Sequence, residues 1–310
     1  MHTPLGEGAE FDAIRELIEM WGPAAVGIGD DAAIIDVPEG ERLVASTDAT
    51  VEHVHFRREW ITAEEIGARA AAAALSDLAA MAAQPRGLLL ALGVPVAWRG
   101  ELPAIGRGVG RVASSVGCPI VGGNITAASE LTICITVLGS AAMPIRRSGV
   151  RPGDIMFVTG ALGGPGDALR AWVAGDEPRQ QSRERFASPA PRIAAARWLA
   201  EQGAHAAIDI SDGLRGDATH LARASGVSLV LNGAAVPRVE QVSAEQAIAS
   251  GEEYELLVAF APDRAPDREA FAQRFGIALT AIGVAVPRGE REVEFTDQYV
   301  GDVAGFDHLS

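Results

Sequence analysis

The sequence predicts a mixed α/β chain made of two domains, and three observations carry that expectation. Segments with apolar residues at helical spacing alternate with short apolar runs of strand character throughout. The length, 310 residues, suits two domains or one large one. A polar stretch with glycines and a proline, RRSGVRPGD at 146–154, lies near the middle and is the best boundary candidate. It divides the chain into 1–148 and 149–310.

Phe11, Ile14, Leu17, Ile18 and Trp21 have the spacing of a helix. Residues 42–48 read as a strand that ends at Ser46, Thr47 and Asp48. Residues 62–82 read as a helix, with Thr62 and Glu65 as a capping box. A strand is expected at 87–94, a helix weakened by three glycines at 102–116, and a strand at 131–139. Beyond the boundary, 155–159 reads as a strand, and the glycine-rich TGALGGPGDAL opens a helix. Residues 177–191 are polar and proline-bearing and read as a mobile surface loop. Helices at 191–201 and 212–224 and strands at 206–210, 254–260 and 279–284 complete the pattern.

The hydrophobic share is 48% and the charged share 22%, which supports a well-buried core. No apolar run reaches the ~18 residues that span a bilayer, and the first residues lack a basic region followed by an apolar stretch. Cys118 and Cys134 sit in strand-like flanks and read as buried structural thiols. These features predict a cytoplasmic protein with no membrane partner. The net charge of −15 argues against a nucleic-acid partner. All 26 basic residues are arginine. The absence of lysine excludes the P-loop signature, the protein-kinase strand lysine and Schiff-base chemistry.

Five acidic motifs stand at glycine turns or within apolar runs: GIGDDAA (27–33), STDATVEHVHF (46–56), LSDLAAM (75–81), DISDGL (209–214) and GEEYEL (251–256). A carboxylate among apolar neighbours is costly unless cations or hydrogen bonds compensate it. Five such segments suggest bound magnesium, which commonly handles phosphate groups. Asp77 shares a helix face with Ile66, Ala70, Ala73 and Met81, so it reads as a metal ligand or as a helix-edge aspartate bonded locally. Asp30 and Asp31 read as a cation site or as a solvated turn. Ser46, Thr47 and Asp48 offer hard oxygen donors, which suit magnesium rather than zinc. His53 and His55 alternate on an expected extended segment. His55 reads as a substrate contact or as a packing histidine. Asp209, Ser211 and Asp212 join a strand end to a helix start, a place for phosphate binding or for ordinary capping. VGGN (121–124) and TGALGGPG (159–166) are glycine-rich stretches that would let backbone approach a phosphate, and Arg147 is a further phosphate candidate.

Taken together and in order, these motifs resemble the thiamine-monophosphate kinases. That family lies within a superfamily that includes aminoimidazole ribonucleotide synthetase. The resemblance runs from EFDAIREL to GFDH at 305–308. It implies an aminoimidazole ribonucleotide synthetase-like α/β N-terminal domain whose sheet forms a homodimer, and an α+β C-terminal domain that closes the nucleotide and substrate cleft. It implies several magnesium ions held by Asp31, Ser46, Thr47, Asp48, Asp77, Asp209 and Asp212. Of these, Asp31, Asp48, Asp77 and Asp212 would act in catalysis. It places ATP, the co-substrate, at Gly123, Asn124, Arg147 and Ser211, and thiamine monophosphate at His55, Glu252, Val303 and Phe306. Three positions depart from the family pattern. Asn124 and Glu253 stand where aspartate is usual, and Val303 where an aromatic would stack on the thiamine ring. A sister ATP-using enzyme with another acceptor, or a non-catalytic nucleotide-binding relative, are the other readings.

Overall fold

The computed structural model describes residues 7–296. Its contacts form two compact units. One comprises the residues up to Leu78 together with Ala83–Pro144, the other Ala79–Ala82 together with the chain from Ile145 onward.

The first unit contains α1 (Ala9–Trp21), β1 (Arg42–Val51), α2 (Ala63–Ala80), β2 (Gln84–Val94), α3 (Leu102–Ser115), β3 (Ile120–Ala127) and β4 (Thr132–Ala141). The strands form one sheet in the order β1-β4-β2-β3. Pairing is antiparallel except between β2 and β3. The capping box expected at α2 is present: Thr62 N–H donates to Glu65 Oε2 at 2.8 Å, and Glu65 N–H to Thr62 Oγ1 at 3.3 Å. The glycines of α3 have a packing reason. A Cβ on Gly108 would stand 1.9 Å from the Glu64 carbonyl oxygen, so the glycine lets α3 lie directly on α2. Leu78, Leu88, Leu90, Ile105, Val109, Ile133, Ile135 and Val137 are buried in this unit. On the other face of the sheet Leu43, Ala45, Thr47 and Ala49 are exposed and Leu89, Ala91, Cys134, Thr136 and Leu138 only half-buried.

The second unit contains β5 (Ile155–Thr159), α4 (Gly164–Ala174), α5 (Gln180–Ala187), α6 (Ile193–Glu201), β6 (Ala206–Asp209), α7 (Leu214–Ser225), β7 (Val227–Leu231), α8 (Ala244–Ile248), β8 (Leu256–Phe260), α9 (Arg268–Phe275), β9 (Leu279–Pro287) and β10 (Val293–Phe295). Its sheet runs β10-β7-β9-β5-β8-β6 and is antiparallel except for the β10–β7 pair. This is an α+β arrangement, as expected. Met156, Val158, Ile208, Leu221, Leu229, Leu257 and Ile282 belong to its core.

Four local expectations are corrected. Residues 177–191 are not a mobile loop: they hold α5, whose buried Phe186 meets Trp172 of α4 edge-on with ring centroids 5.1 Å apart. Ser46, Thr47 and Asp48 lie in the middle of β1, because the pairing with β4 continues to Val51. The glycines of VGGN, read as room for a phosphate, lie within β3: a Cβ on Gly123 would stand 1.9 Å from the Leu90 carbonyl oxygen, so this glycine allows β3 to pair closely with β2. Asp212 precedes α7, whose N-cap is Gly213 at φ 105.

Candidate functional site

In the first unit, the GIGDD turn and the VGGN strand line one pocket of about 680 Å³. Asp30, Asp31, Gly123 and Asn124 contribute its polar rim, and Phe11, Ile14 and Trp21 an apolar wall. The structure thus brings Asp31 together with Gly123 and Asn124, positions far apart in the chain. Asp30 and Asp31 are exposed, as the solvated-turn alternative has them, so burial alone gives neither of them a need for a cation.

Beside the sheet, Ser46 Oγ donates to Asp77 Oδ2 at 2.5 Å, which joins β1 to α2. Asp48 falls on the same face of β1 as Ser46, two residues on. Asp77 is half-buried, at the margin of a helix whose Ile66, Ala70 and Ala73 are buried. Thr47 turns to the opposite face, where its hydroxyl lies 3.0 Å from Thr136 Oγ1 and 3.6 Å from Cys134 Sγ. Its hydroxyl does not join Ser46 and Asp48.

The histidines are not on an extended segment. They sit in a tight turn after β1, where His53 has φ 68. Val51 N–H donates to His55 Nδ1 at 3.1 Å, so the neutral imidazole of His55 carries its proton on Nε2. Glu52 anchors this turn from inside: its Oε2 accepts from Trp98 Nε1 at 2.8 Å and from Leu131 N–H at 3.3 Å.

In the second unit, Asp209 is buried at the end of β6, while Ser211 and Asp212 are half-buried in the loop that follows. The sequence reading missed Asp217, one turn into α7. Its Oδ2 accepts from Ser211 N–H at 3.0 Å and from Asp212 N–H at 3.1 Å. Those two donors are therefore engaged by the protein itself, not open to a phosphate as a bare helix start would leave them. Burial, then the charges of Asp209 and Asp212, push the Asp217 carboxyl up to about 8.

The GEEYEL segment leans on this loop. Glu252 N–H donates to the Ser211 carbonyl at 2.6 Å, and Tyr254 N–H to the Ile210 carbonyl at 2.9 Å. Glu252 and Tyr254 hold left-handed backbone at φ 58 and 54. Glu253 and Glu255 are compensated by arginines rather than by metal. Arg192 grips Glu255 through two bonds, Nε–Oε2 at 2.9 Å and Nη2–Oε1 at 2.6 Å. Thr159 Oγ1 adds a third at 2.7 Å. Gly163 N–H donates to Glu253 Oε1 at 2.5 Å, and Arg185 Nη2 lies 3.4 Å from Glu253 Oε2 and from Glu255 Oε1. Burial still pushes Glu253 up to about 7, against the pull of Arg185.

Arg147 is exposed, and its carbonyl accepts from Ser225 Oγ at 2.7 Å. Val303 and Phe306 lie outside the described residues. Among the described residues no group of three or more His, Cys, Asp or Glu is arranged to hold a metal, and no helix is long and apolar enough to cross a membrane.

Residues 29–141 match the family described as AIR synthase related protein, N-terminal domain, and residues 151–296 match its C-terminal domain. The chain is 32% identical to the thiamine-monophosphate kinase of Synechococcus elongatus, over 91% of each chain. A crystal structure of thiamine-monophosphate kinase from Stenotrophomonas maltophilia K279a superposes with a TM-score of 0.83 at 31% identity, covering 94% of this chain and 97% of that one. The structure of AaThiL complexed with AMPPCP and TMP gives a TM-score of 0.78 at 27% identity, covering 96% and 95%.

Proposed function

Because the chain belongs to the thiamine-monophosphate kinase family, we propose that it phosphorylates thiamine monophosphate to thiamine diphosphate with ATP as co-substrate. The likeness over nine-tenths of both chains to a named thiamine-monophosphate kinase carries this reading. A relative that holds AMPPCP and TMP together adds to it.

The side chains suit such a transfer. The attacking phosphate oxygen is anionic near neutral pH, so no strong base is required. Catalysis then rests on placement and on neutralising charge. Magnesium fits the donor set: Asp31, Ser46, Asp48 and Asp77 in the first unit and Asp209 and Asp212 in the second all offer hard oxygens. One or two carboxylates suffice for each ion when waters and substrate phosphates complete the shell, so the lack of a three-carboxylate cluster among the described residues is no obstacle. When bound, magnesium would supply neutralisation of the phosphate charge. Gly123 and Asn124 would receive the nucleotide beside Asp31, and Arg147 and the Ser211 hydroxyl would contact its phosphates. His55 would donate from Nε2 to the acceptor substrate, and Glu252 would face it. Val303 and Phe306 would contact its ring.

A homodimer accompanies this reading. The exposed sheet face around Leu43, Ala45 and Ala49 gives a second copy an apolar surface, with Leu43 54% exposed. Light scattering should give twice the chain mass, and Thr47→Arg should reduce it. A cytoplasmic location also goes with it: Cys118 and Cys134 are both free thiols, and burial pushes Cys118 up to about 12.

The deciding experiment incubates the purified protein with ATP, magnesium and thiamine monophosphate and follows thiamine diphosphate by chromatography. Folded protein that forms none, or that turns over ATP only with another acceptor, would overturn the proposal.

A further inference from the structure

We infer that Arg185, in the last turn of α5, is a positioning residue for phosphoryl transfer, tying the Gly160–Gly164 turn to the segment that carries Glu252 and braces Ser211. The inference rests on the kinase reading above and assigns a role to a residue that touches neither substrate nor metal ligand.

Arg185 is the junction of two chain segments. Its Nη2 donates to the Ala161 carbonyl and stands 3.4 Å from both Glu253 Oε2 and Glu255 Oε1. The turn is moulded on it: a Cβ on Gly164 would come within 2.6 Å of Arg185 Cδ, and one on Gly160 within 2.2 Å of Glu255 Oε1. Gly163 N–H closes the ring by donating to Glu253 Oε1 at 2.5 Å. Both carboxylates are fully buried, so their position depends on the groups that compensate them.

The other side of the ring is the site. Glu253 and Tyr254 both donate backbone N–H to the Ile210 carbonyl, and Glu252 donates to that of Ser211. Glu252 and Tyr254 occupy left-handed backbone that only their surroundings maintain. Any shift of Glu253 is therefore passed to Glu252 on one side and to the loop of Ser211 and Asp212 on the other.

The two arginines divide the work. Arg192 forms a close, two-bond pair with Glu255, the arrangement that secures a fold. Arg185 makes its direct bond to the turn and stands at longer range from the carboxylates. Loss of Arg185 should therefore damage placement more than stability.

The experiment uses the full chain and four proteins: wild type, Arg185→Met, Arg185→Lys and Arg192→Met. Arg185→Met should lower kcat about 100-fold, the scale of a misplacement near 1 Å. Arg185→Lys should recover at least about tenfold of that, since an ammonium keeps the charge and one donor for Ala161. Its urea midpoint should fall less than that of Arg192→Met. Amide exchange should quicken at 159–166, 209–213 and 251–255 and stay unchanged elsewhere. A kcat within about twofold of wild type would overturn the inference. So would faster exchange throughout the protein with a midpoint below that of Arg192→Met. A wild type without thiamine-monophosphate turnover would defeat the kinase reading instead, and the exchange pattern would still decide the role of Arg185.

Discussion

Two groups of buried acids in the second unit meet the same electrostatic problem differently. Glu253 and Glu255 face Arg185 and Arg192, and of their three ion pairs the one between Arg192 and Glu255 is bidentate. Asp217 is held by the N–H groups of Ser211 and Asp212, while burial, and then the charges of Asp209 and Asp212, raise its pKa. The first group has fixed counter-charges from its own chain. The second accumulates negative charge around a short loop, which a cation from solution would relieve. The difference separates carboxylates that build the site from carboxylates that act in it.

The sharpest way to break this distinction is Arg192→Ala. It leaves Glu255 buried without its two-bond partner, and the fold should lose about 3–5 kcal/mol in urea unfolding. Asp212→Asn should do the reverse: the unfolding midpoint holds or rises, while kcat falls on the order of 100-fold, as when one charge-stabilising group is lost. A stability loss as large as that of Arg192→Ala would mean that Asp212 builds the fold instead.

Asp217 gives a pH test on metal-free protein in chelator. Its folded pKa, about 8, lies above the ordinary aspartate value of 3.8. Between those values the folded state holds a proton that the unfolded state has released, so stability falls as pH rises, and the loss is complete once pH passes about 8. One extra proton corresponds to roughly 1.4 kcal/mol per pH unit. Wild type should show that additional slope between pH 5 and 7, and Asp217→Asn should lack it. Equal slopes would mean that Asp217 does not take up this proton on folding.

Two smaller tests concern the first unit. Asn124→Asp adds a carboxylate to the pocket of Asp30 and Asp31, and should lower the magnesium needed for half-maximal activity by a few-fold, about 1 kcal/mol or less. Thr47→Val should leave kcat within about twofold, because that hydroxyl lies across the sheet from Ser46 and Asp48, whereas Ser46→Ala should reduce it.

The division between the two kinds of acid was only partly legible in the sequence. Local signals carried well: the Thr62–Glu65 box opens α2, and the apolar run at 155–159 is β5 to the residue. The segment QQSRERFA is polar enough to read as loop, and only its buried Phe186 betrays α5. Arg185 and Arg192 meet Glu255 across 70 and 63 residues, a separation at which no local pattern links them. Asp217 was hidden for a related reason: within a helical pattern its carboxylate looks solvated until the preceding loop folds back onto it. The GIGDD and VGGN motifs were readable one by one, and their shared pocket follows only from the sheet order.

The four residues Ala79–Ala82 group with the unit that otherwise begins at Ile145, and the Met81 carbonyl accepts the Ile145 N–H at 3.1 Å. The polypeptide thus passes between the units three times rather than once. A C-terminal fragment starting at Ile145 would lack this acceptor, and the complementary fragment would keep the last two residues of α2, Ala79 and Ala80, which group with the other unit. Dissecting the protein would require grafting those four residues onto the later piece.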